Sequence, residues 1–307
     1  MSFNFFTFAR KINRPLLLDG AMGSLLQQNG IKSEGRFWTS LANIKNPELV
    51  SEIYKSYIKA GADIITTNTF RTNPAAVNSQ SRIGFKELNK AAVLLAKESS
   101  NGHNVMIAGS NAPAEDCYLI ERKISKKKLE LNHKQHIDEL MKNGCDFVLN
   151  ETQSHFDEIK IICDHCYRKN IPYIVSLLVN ENNAMLSGQS LTEIIKFVRD
   201  KNPLAIGFNC IQPNVFLKIS NEVKFDFNWG MYLNLGAGKY SDKRLTTKLS
   251  PNDYSSFVSK FLTKKPSFIG ACCGSNPNHI KKLREMLNGK FNNYCSGKNK
   301  FGVEYSS

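Results

Sequence analysis

The sequence contains no apolar run approaching the ~18 residues that a transmembrane helix needs, so a soluble protein is expected. Its start, Met1-Ser-Phe-Asn-Phe-Phe-Thr-Phe-Ala-Arg10, is aromatic, but no basic segment precedes it and no continuous apolar stretch follows. An N-terminal arm is therefore expected in place of a secretory signal. No Gly-x-Gly-x-x-Gly follows the first strand-like run, which disfavours an open dinucleotide-binding sheet. No Pro/Gly/Ser-rich linker divides the chain. Acids are scarce: 27 Asp and Glu against 41 Lys and Arg give a net charge of +14. Phosphate recognition depends on clustered cations, however, and outside Glu121-Arg-Lys-Ile-Ser-Lys-Lys-Lys128 the basic residues are scattered through a chain rich in Lys, Asn and Ile. A solvated basic surface is the expectation, and nucleic acid is not an expected partner. The eight cysteines have irregular spacing in a 307-residue chain, unlike a short disulfide-stapled scaffold. Reduced thiols in the cytoplasm are expected. Cys163-Asp-His-Cys166 has the spacing of a metal hook but lies in a helical stretch with no second pair, so it reads as helix-face packing. Cys117, Cys145 and Cys295 carry no usable pattern.

What remains is a strict alternation. Short apolar runs at Pro15–Asp19, Ile64–Thr69, Val105–Ser110, Phe147–Glu151, Tyr173–Val179, Leu204–Asn209, Trp229–Asn234 and Ser267–Gly270 read as strands. Amphipathic stretches near 46–60, 85–98, 129–143, 154–169, 191–201, 213–222, 251–263 and 276–287 read as helices. Asn46-Pro47 and Ser250-Pro251 supply start signals. Eight strand–helix units in this length predict an α/β fold of the (β/α)₈ TIM barrel type as a single domain. The expected division is an arm at 1–13, the barrel at 14–287 and a basic tail at 288–307.

In such a barrel the chemistry sits at the carboxyl ends of the strands. Cys210 ends the sixth strand in Gly207-Phe-Asn-Cys210, and Cys272 and Cys273 end the eighth in Gly270-Ala-Cys-Cys-Gly274. These strands are next-but-one neighbours, so three thiols can converge on one soft metal ion and leave a coordination position open, as in zinc sites that do chemistry. Successive strand residues point to opposite faces, so the adjacent pair requires a local bend, which Gly270 and Gly274 permit. The ordinary alternative is buried core cysteine.

Two acids share that mouth. Asp19 ends strand one ahead of the glycine-rich turn Gly20-Ala-Met-Gly23, whose free N–H groups suit a carboxylate. Glu151 ends strand four. Helix capping for Asp19 and an internal ion pair for Glu151 are the competing roles. Beside a thiolate-bound metal, two acids and an anion nest describe a pocket for a zwitterionic amino acid bearing sulfur.

At this point a resemblance is identifiable. Leu16-Leu-Leu-Asp-Gly-Ala-Met-Gly23, Gly61-Ala-Asp-Ile-Ile-Thr-Thr-Asn-Thr-Phe70, Asn150-Glu-Thr152, Leu186-Ser-Gly188, Gly207-Phe-Asn-Cys210 and Gly270-Ala-Cys-Cys-Gly274 resemble, in order, the motifs of the homocysteine S-methyltransferase family, over about residues 14 to 287. The resemblance implies a (β/α)₈ barrel, zinc held by Cys210, Cys272 and Cys273, and homocysteine and a methyl donor as small-molecule substrates. It also implies Asp19 and Glu151 at the substrate ammonium and the Gly20 region at its carboxylate. Zinc would favour the thiolate, and three cysteine thiolates leave the site at a net charge of −1, which keeps the substrate sulfur nucleophilic. Asn234, ending strand seven, is a candidate weak fourth ligand, with capping of the next turn as its other role.

Family members use S-methylmethionine or a related sulfonium, betaine, or a corrinoid-carried methyl group. Trp38 and Phe70 could offer aromatic faces to a cationic donor, with core packing as the alternative. Tyrosines of betaine-using members align with Arg71 and Thr152, and a cation at Arg71 disfavours betaine. No folate or corrinoid module follows, so S-methylmethionine is the expected donor. The segment Tyr232-Leu-Asn-Leu-Gly-Ala-Gly-Lys-Tyr240 lacks the proline and acid that free-standing members commonly show. A non-catalytic, zinc-stabilised barrel associating with RNA is the rival reading of the charge.

Overall fold

The computed structural model describes residues 5–77, 83–237 and 246–296, with side chains to residue 289. In chain order the strands are β1 (Leu16–Leu17), β2 (Ile64–Thr66), β3 (Met106–Asn111), β4 (Phe147–Gln153), β5 (Tyr173–Leu177), β6 (Ala205–Asn209), β7 (Trp229–Leu233), β8 (Gly236–Ala237), β9 (Thr246–Thr247) and β10 (Phe268–Ala271). All but β8 and β9 form one eight-stranded sheet in the order β1-β10-β7-β6-β5-β4-β3-β2, every pairing parallel. A parallel bridge between Leu18 and Ile64 joins its two ends, and the sheet closes as the expected (β/α)₈ barrel.

Alternation decides which side chains face where. Leu16, Leu18, Ile64, Met106, Phe147, Ile174 and Phe268 point into the barrel, whereas Leu17, Ile65, Val148, Val175, Ile206 and Ile269 pack against the helices. Strands buried on both faces are mostly apolar, with polar residues gathered toward their carboxyl ends, which is why the sequence reveals them so clearly. Phe268 fills the barrel centre so fully that a Cβ on Gly230 would lie 2.4 Å from its ring.

The seam between β1 and β2 is the thinnest part of the wall, and a buried ion cluster reinforces it. Asp63 accepts from Arg14 Nη1 and Nη2 at 2.6 and 3.0 Å, from Arg284 Nη2 at 2.8 Å and from the Leu17 N–H at 2.8 Å.

The amino-terminal arm contains a helix, Phe5–Ile12, whose Phe5 and Phe8 are buried in the barrel-interior cluster, Phe5 meeting Phe147 edge-on with ring centres 5.8 Å apart. The apolar spacing Phe5, Phe8, Ala9, Ile12 is helical, and the helix stoppers the amino end of the barrel. At the other terminus the last helix runs from Pro277 to Ser296, past the expected boundary at 287; residues 297–307 lie outside the described set. Ser250 caps its helix as its sequence suggests, accepting from the Asp253 N–H. Asn46 makes no side-chain cap, because a preceding turn, Ala42–Lys45, already leads into the helix starting at Pro47. Among the described residues no helix is long and apolar enough to cross a membrane.

Candidate active site

The carboxyl ends of the strands surround a cavity of about 1000 Å³, at the upper end of the usual range for ligand pockets. Its lining includes Asp19, Gly20, Trp38, Glu151, Cys210, Cys272 and Cys273.

Cys272 Sγ lies 3.1 Å from Cys210 Sγ, and Cys273 Sγ lies 3.7 Å from it. All three sulfurs fall within 4.8 Å of one another. The adjacent pair converges because β10 stops at Ala271 and the chain turns: the Ser275 N–H bonds the Cys272 carbonyl at 3.1 Å, and Gly274 takes φ +80°. No other residue fits there, since a Cβ on Gly274 would come within 2.4 Å of Gly236 Cα. Cys210 itself has φ +56°, and Thr152, immediately after Glu151, has φ +60°. Such conformations cost about 1–3 kcal/mol each away from glycine and gather at functional sites. They are over-determined by a reciprocal pair: the Thr152 N–H donates to Asn209 Oδ1 at 2.8 Å, and Asn209 Nδ2 donates to Thr152 Oγ1 at 2.9 Å. The register of β4 shifts in the same place, between Asn150 and Gln153.

Three sulfur donors suit a thiophilic ion, and tetrahedral zinc with bonds near 2.3 Å requires sulfurs about 3.8 Å apart. The Cys210–Cys273 separation meets this, and the Cys210–Cys272 separation needs to widen by about 0.7 Å. The donor set therefore fits a metal. Hydrogen bonds from Cys210 and then Cys272 pull the Cys273 thiol well below its ordinary range, so the trio concentrates negative charge on one sulfur.

Opposite the sulfurs stand the two acids. Asp19 is 3% exposed; its carboxyl accepts from the Thr66 N–H at 2.8 Å and the Thr66 hydroxyl at 2.9 Å, so it caps no helix. Glu151 is 9% exposed and accepts from the Ser110 hydroxyl. Burial pushes Asp19 up to about 8 against the Thr66 hydrogen bonds, with the nearby Glu151 charge adding to the rise. Burial likewise pushes Glu151 up to about 7 against the Ser110 bond. Among the described residues neither acid has an ion-pair partner, in contrast to Asp63. Two buried carboxyls whose charged forms lack a counter-ion suit a cationic ligand group.

The glycine-rich turn is held by Ser275, whose Oγ accepts from the Ala21 N–H at 2.9 Å, and by Tyr57, whose hydroxyl donates to the Ala21 carbonyl at 2.9 Å. Trp38 adopts φ +49°, its ring seated on Gly23 and edge-on to Phe70 with centres 6.0 Å apart. Its indole N–H is buried without a hydrogen-bond partner. Asn234 is not in the cavity wall; its Oδ1 accepts from the Gly236 N–H at 2.9 Å, the turn-capping role. Of the segment 232–240, residues 238–240 lie outside the described set. Cys163 and Cys166 are fully buried in the core, as helix-face packing requires, and the side chain of Cys295 falls outside the described set.

Sequence reasoning did not single out Thr66, Ser110, Ser275 or Tyr118. The first two are polar residues at strand ends, a signal that the barrel rule could have flagged. Tyr118 comes from the loop after β3, and its hydroxyl reaches to 4.0 Å from Cys210 Sγ.

The barrel, the sulfur trio and the acidic wall together define an enzyme of the barrel class with a donor set able to hold a metal at its mouth. A sequence profile of the homocysteine S-methyltransferase family matches residues 16–287, and the chain belongs to that family. It is 22% identical to homocysteine S-methyltransferase 2 of Arabidopsis thaliana, covering 91% of this chain and 95% of the relative. Homocysteine S-methyltransferase 3 of the same plant is also 22% identical, over 96% of this chain and 95% of the relative. The homocysteine methyltransferase MmuM from Escherichia coli, in its metallated form, superposes with a TM-score of 0.77 at 22% identity, covering 92% of this chain and 99% of its own. The protein is a methyltransferase of homocysteine.

Proposed function

We propose that this enzyme is zinc-dependent and transfers a methyl group from S-methylmethionine to homocysteine, forming methionine. The observation that carries the reading is the opening of three sulfurs and two carboxyls without ion-pair partners into one cavity. Cys210, Cys272 and Cys273 would hold the zinc, a reading supported by the metallated form of MmuM. When bound, zinc favours the substrate thiolate over a thiol of ordinary pKa near 8.5, which supplies the nucleophile.

The remaining work falls to the chain's own groups. Asp19 and Glu151 hold the homocysteine ammonium. Its arrival favours their charged forms, so binding draws both carboxyls down from their raised values and releases protons. Ser275 occupies the Ala21 N–H and leaves the N–H groups of Gly20 and Met22 to the substrate carboxylate. Trp38 and Phe70 line the cavity as aromatic surface for a cationic donor. Asn234 serves by fixing the turn that leaves β7.

The chain matches nearly the full length of plant relatives that bear the homocysteine S-methyltransferase name, which supports homocysteine as the acceptor; the donor reading rests on the cavity wall. Arg71 lines the cavity. A guanidinium beside the transferable methyl group opposes betaine, whose methyl-bearing cation lies one carbon from its carboxylate. S-methylmethionine also has an ammonium one carbon from its carboxylate, but its methyl-bearing sulfonium lies three carbons away. The test is methionine formation from homocysteine with S-methylmethionine, betaine and methylcobalamin in parallel, alongside zinc content per chain. Turnover with S-methylmethionine at about one zinc per chain is expected; equal failure of all three donors refutes the reading.

A further inference from the structure

Arg71 is a guanidinium in the cavity wall whose position the backbone fixes. It is partly buried, and it forms no ion pair among the described residues. Its Nη1 donates to the Glu115 carbonyl at 2.8 Å and to the Pro113 carbonyl at 3.4 Å. Its guanidinium carbon lies 5.2 Å from the centre of the Phe70 ring, and Phe70 leans on Trp38. Nε and Nη2 make no hydrogen bond with the described residues, so one edge of the fork is held and the other is free.

The acids within reach are engaged elsewhere. Glu115 Oε2 accepts from the Lys123 and Ile124 N–H groups at 2.8 and 3.0 Å, and Asp116 Oδ1 accepts from the Tyr118 N–H at 3.0 Å. Arg71 lines the same cavity as the sulfur trio.

A partly buried cation fixed by backbone carbonyls, with a free planar edge at the wall of a substrate cavity, is suited to a planar anion. In the proposed function the homocysteine carboxylate goes to the Gly20 turn, which leaves Arg71 for another anion. We propose that Arg71 binds the carboxylate of the methyl donor, orients the donor with its cationic end toward the sulfurs, and so determines donor specificity. The enzyme therefore requires a donor whose carboxylate and transferable methyl group are well separated. This inference rests on the reading of S-methylmethionine as donor.

The test compares S-methylmethionine with its decarboxylated counterpart, 3-aminopropyl dimethylsulfonium, by steady-state kinetics and by calorimetric binding to the zinc-loaded enzyme without homocysteine. Hydrogen bonds to charged groups of this kind correspond to about 10- to 150-fold. Wild type should favour the carboxylated donor by that factor in KM and in Kd. Arg71→Gln should abolish the preference by raising only the donor KM, with the homocysteine KM unchanged. Arg71→Lys, which keeps the charge but loses the fork, should restore part of it. Equal use of the two donors by wild type overturns the inference alone. So does a preference that survives Arg71→Gln, or a rise in the homocysteine KM to match the donor's. Wild type that neither binds nor uses S-methylmethionine overturns the donor reading, and the inference falls with it.

Discussion

Replacing Asp19 with Asn should raise the KM for homocysteine and, at the same time, stabilise the metal-free protein at alkaline pH. The fold tolerates the change: Asn can accept from the Thr66 N–H through Oδ1 and donate to the Thr66 hydroxyl, so both observed contacts survive. What is lost is charge. Removing one member of a buried, hydrogen-bonded charge pair costs about 2–5 kcal/mol, or roughly 30- to 4,000-fold. With Glu151 still in place the lower end is expected. The stability effect has the opposite sign. The Asp19 carboxyl is raised to about 8 in the folded state by burial, against about 3.9 unfolded. Between those values the unfolded chain binds fewer protons, so the wild type loses stability as pH rises from about 4 to about 8. The loss is bounded at about 6 kcal/mol, from four pH units at about 1.4 kcal/mol each. Asp19→Asn removes this slope. The assays are the KM for homocysteine against 4-mercaptobutanoate, which lacks the ammonium, and urea unfolding of metal-stripped protein at pH 5 and pH 8. The variant should show a preference for homocysteine reduced by about 30-fold and gain more stability at pH 8 than at pH 5. An unchanged preference, or a gain larger at pH 5, refutes the reasoning.

Cys210→Ser should lower zinc content well below one per chain and abolish methyl transfer, with a far-ultraviolet spectrum like that of wild type, as read by metal analysis and circular dichroism. Asp63→Ala leaves the partly buried Arg14 and Arg284 without their shared carboxylate and should cost about 3 kcal/mol in urea unfolding, the low end for a buried pair, although Asp63 lies at the end of the barrel opposite the chemistry. Phe5→Ala should cost about 3–5 kcal/mol by opening the stoppered end, with no change in the homocysteine KM.

The parts of the fold that were legible share one physical property. Each barrel strand is buried on both faces, so it is mostly apolar up to its polar carboxyl end, and the eight strand positions could be read to within a few residues. The sulfur trio was legible because the barrel rule places strand ends together, whatever their separation in sequence. The stoppering helix at Phe5–Ile12 was missed because its aromatic density masked a helical spacing. The pocket's second wall was hidden for another reason. Thr66, Ser110 and Ser275 act through single hydrogen bonds that any serine or threonine can make, so their identity carries no pattern. The left-handed conformations of Thr152 and Cys210 were also invisible, since tertiary contacts such as the Thr152–Asn209 pair impose them on residues that do not prefer them.

The central claim, that Cys210, Cys272 and Cys273 hold a zinc ion with one position open to the substrate sulfur, is tested most directly by X-ray absorption at the zinc edge of the purified enzyme. The account predicts three sulfur neighbours near 2.3 Å, becoming four when homocysteine is added. An enzyme without zinc, or a sulfur count that homocysteine leaves unchanged, would contradict it.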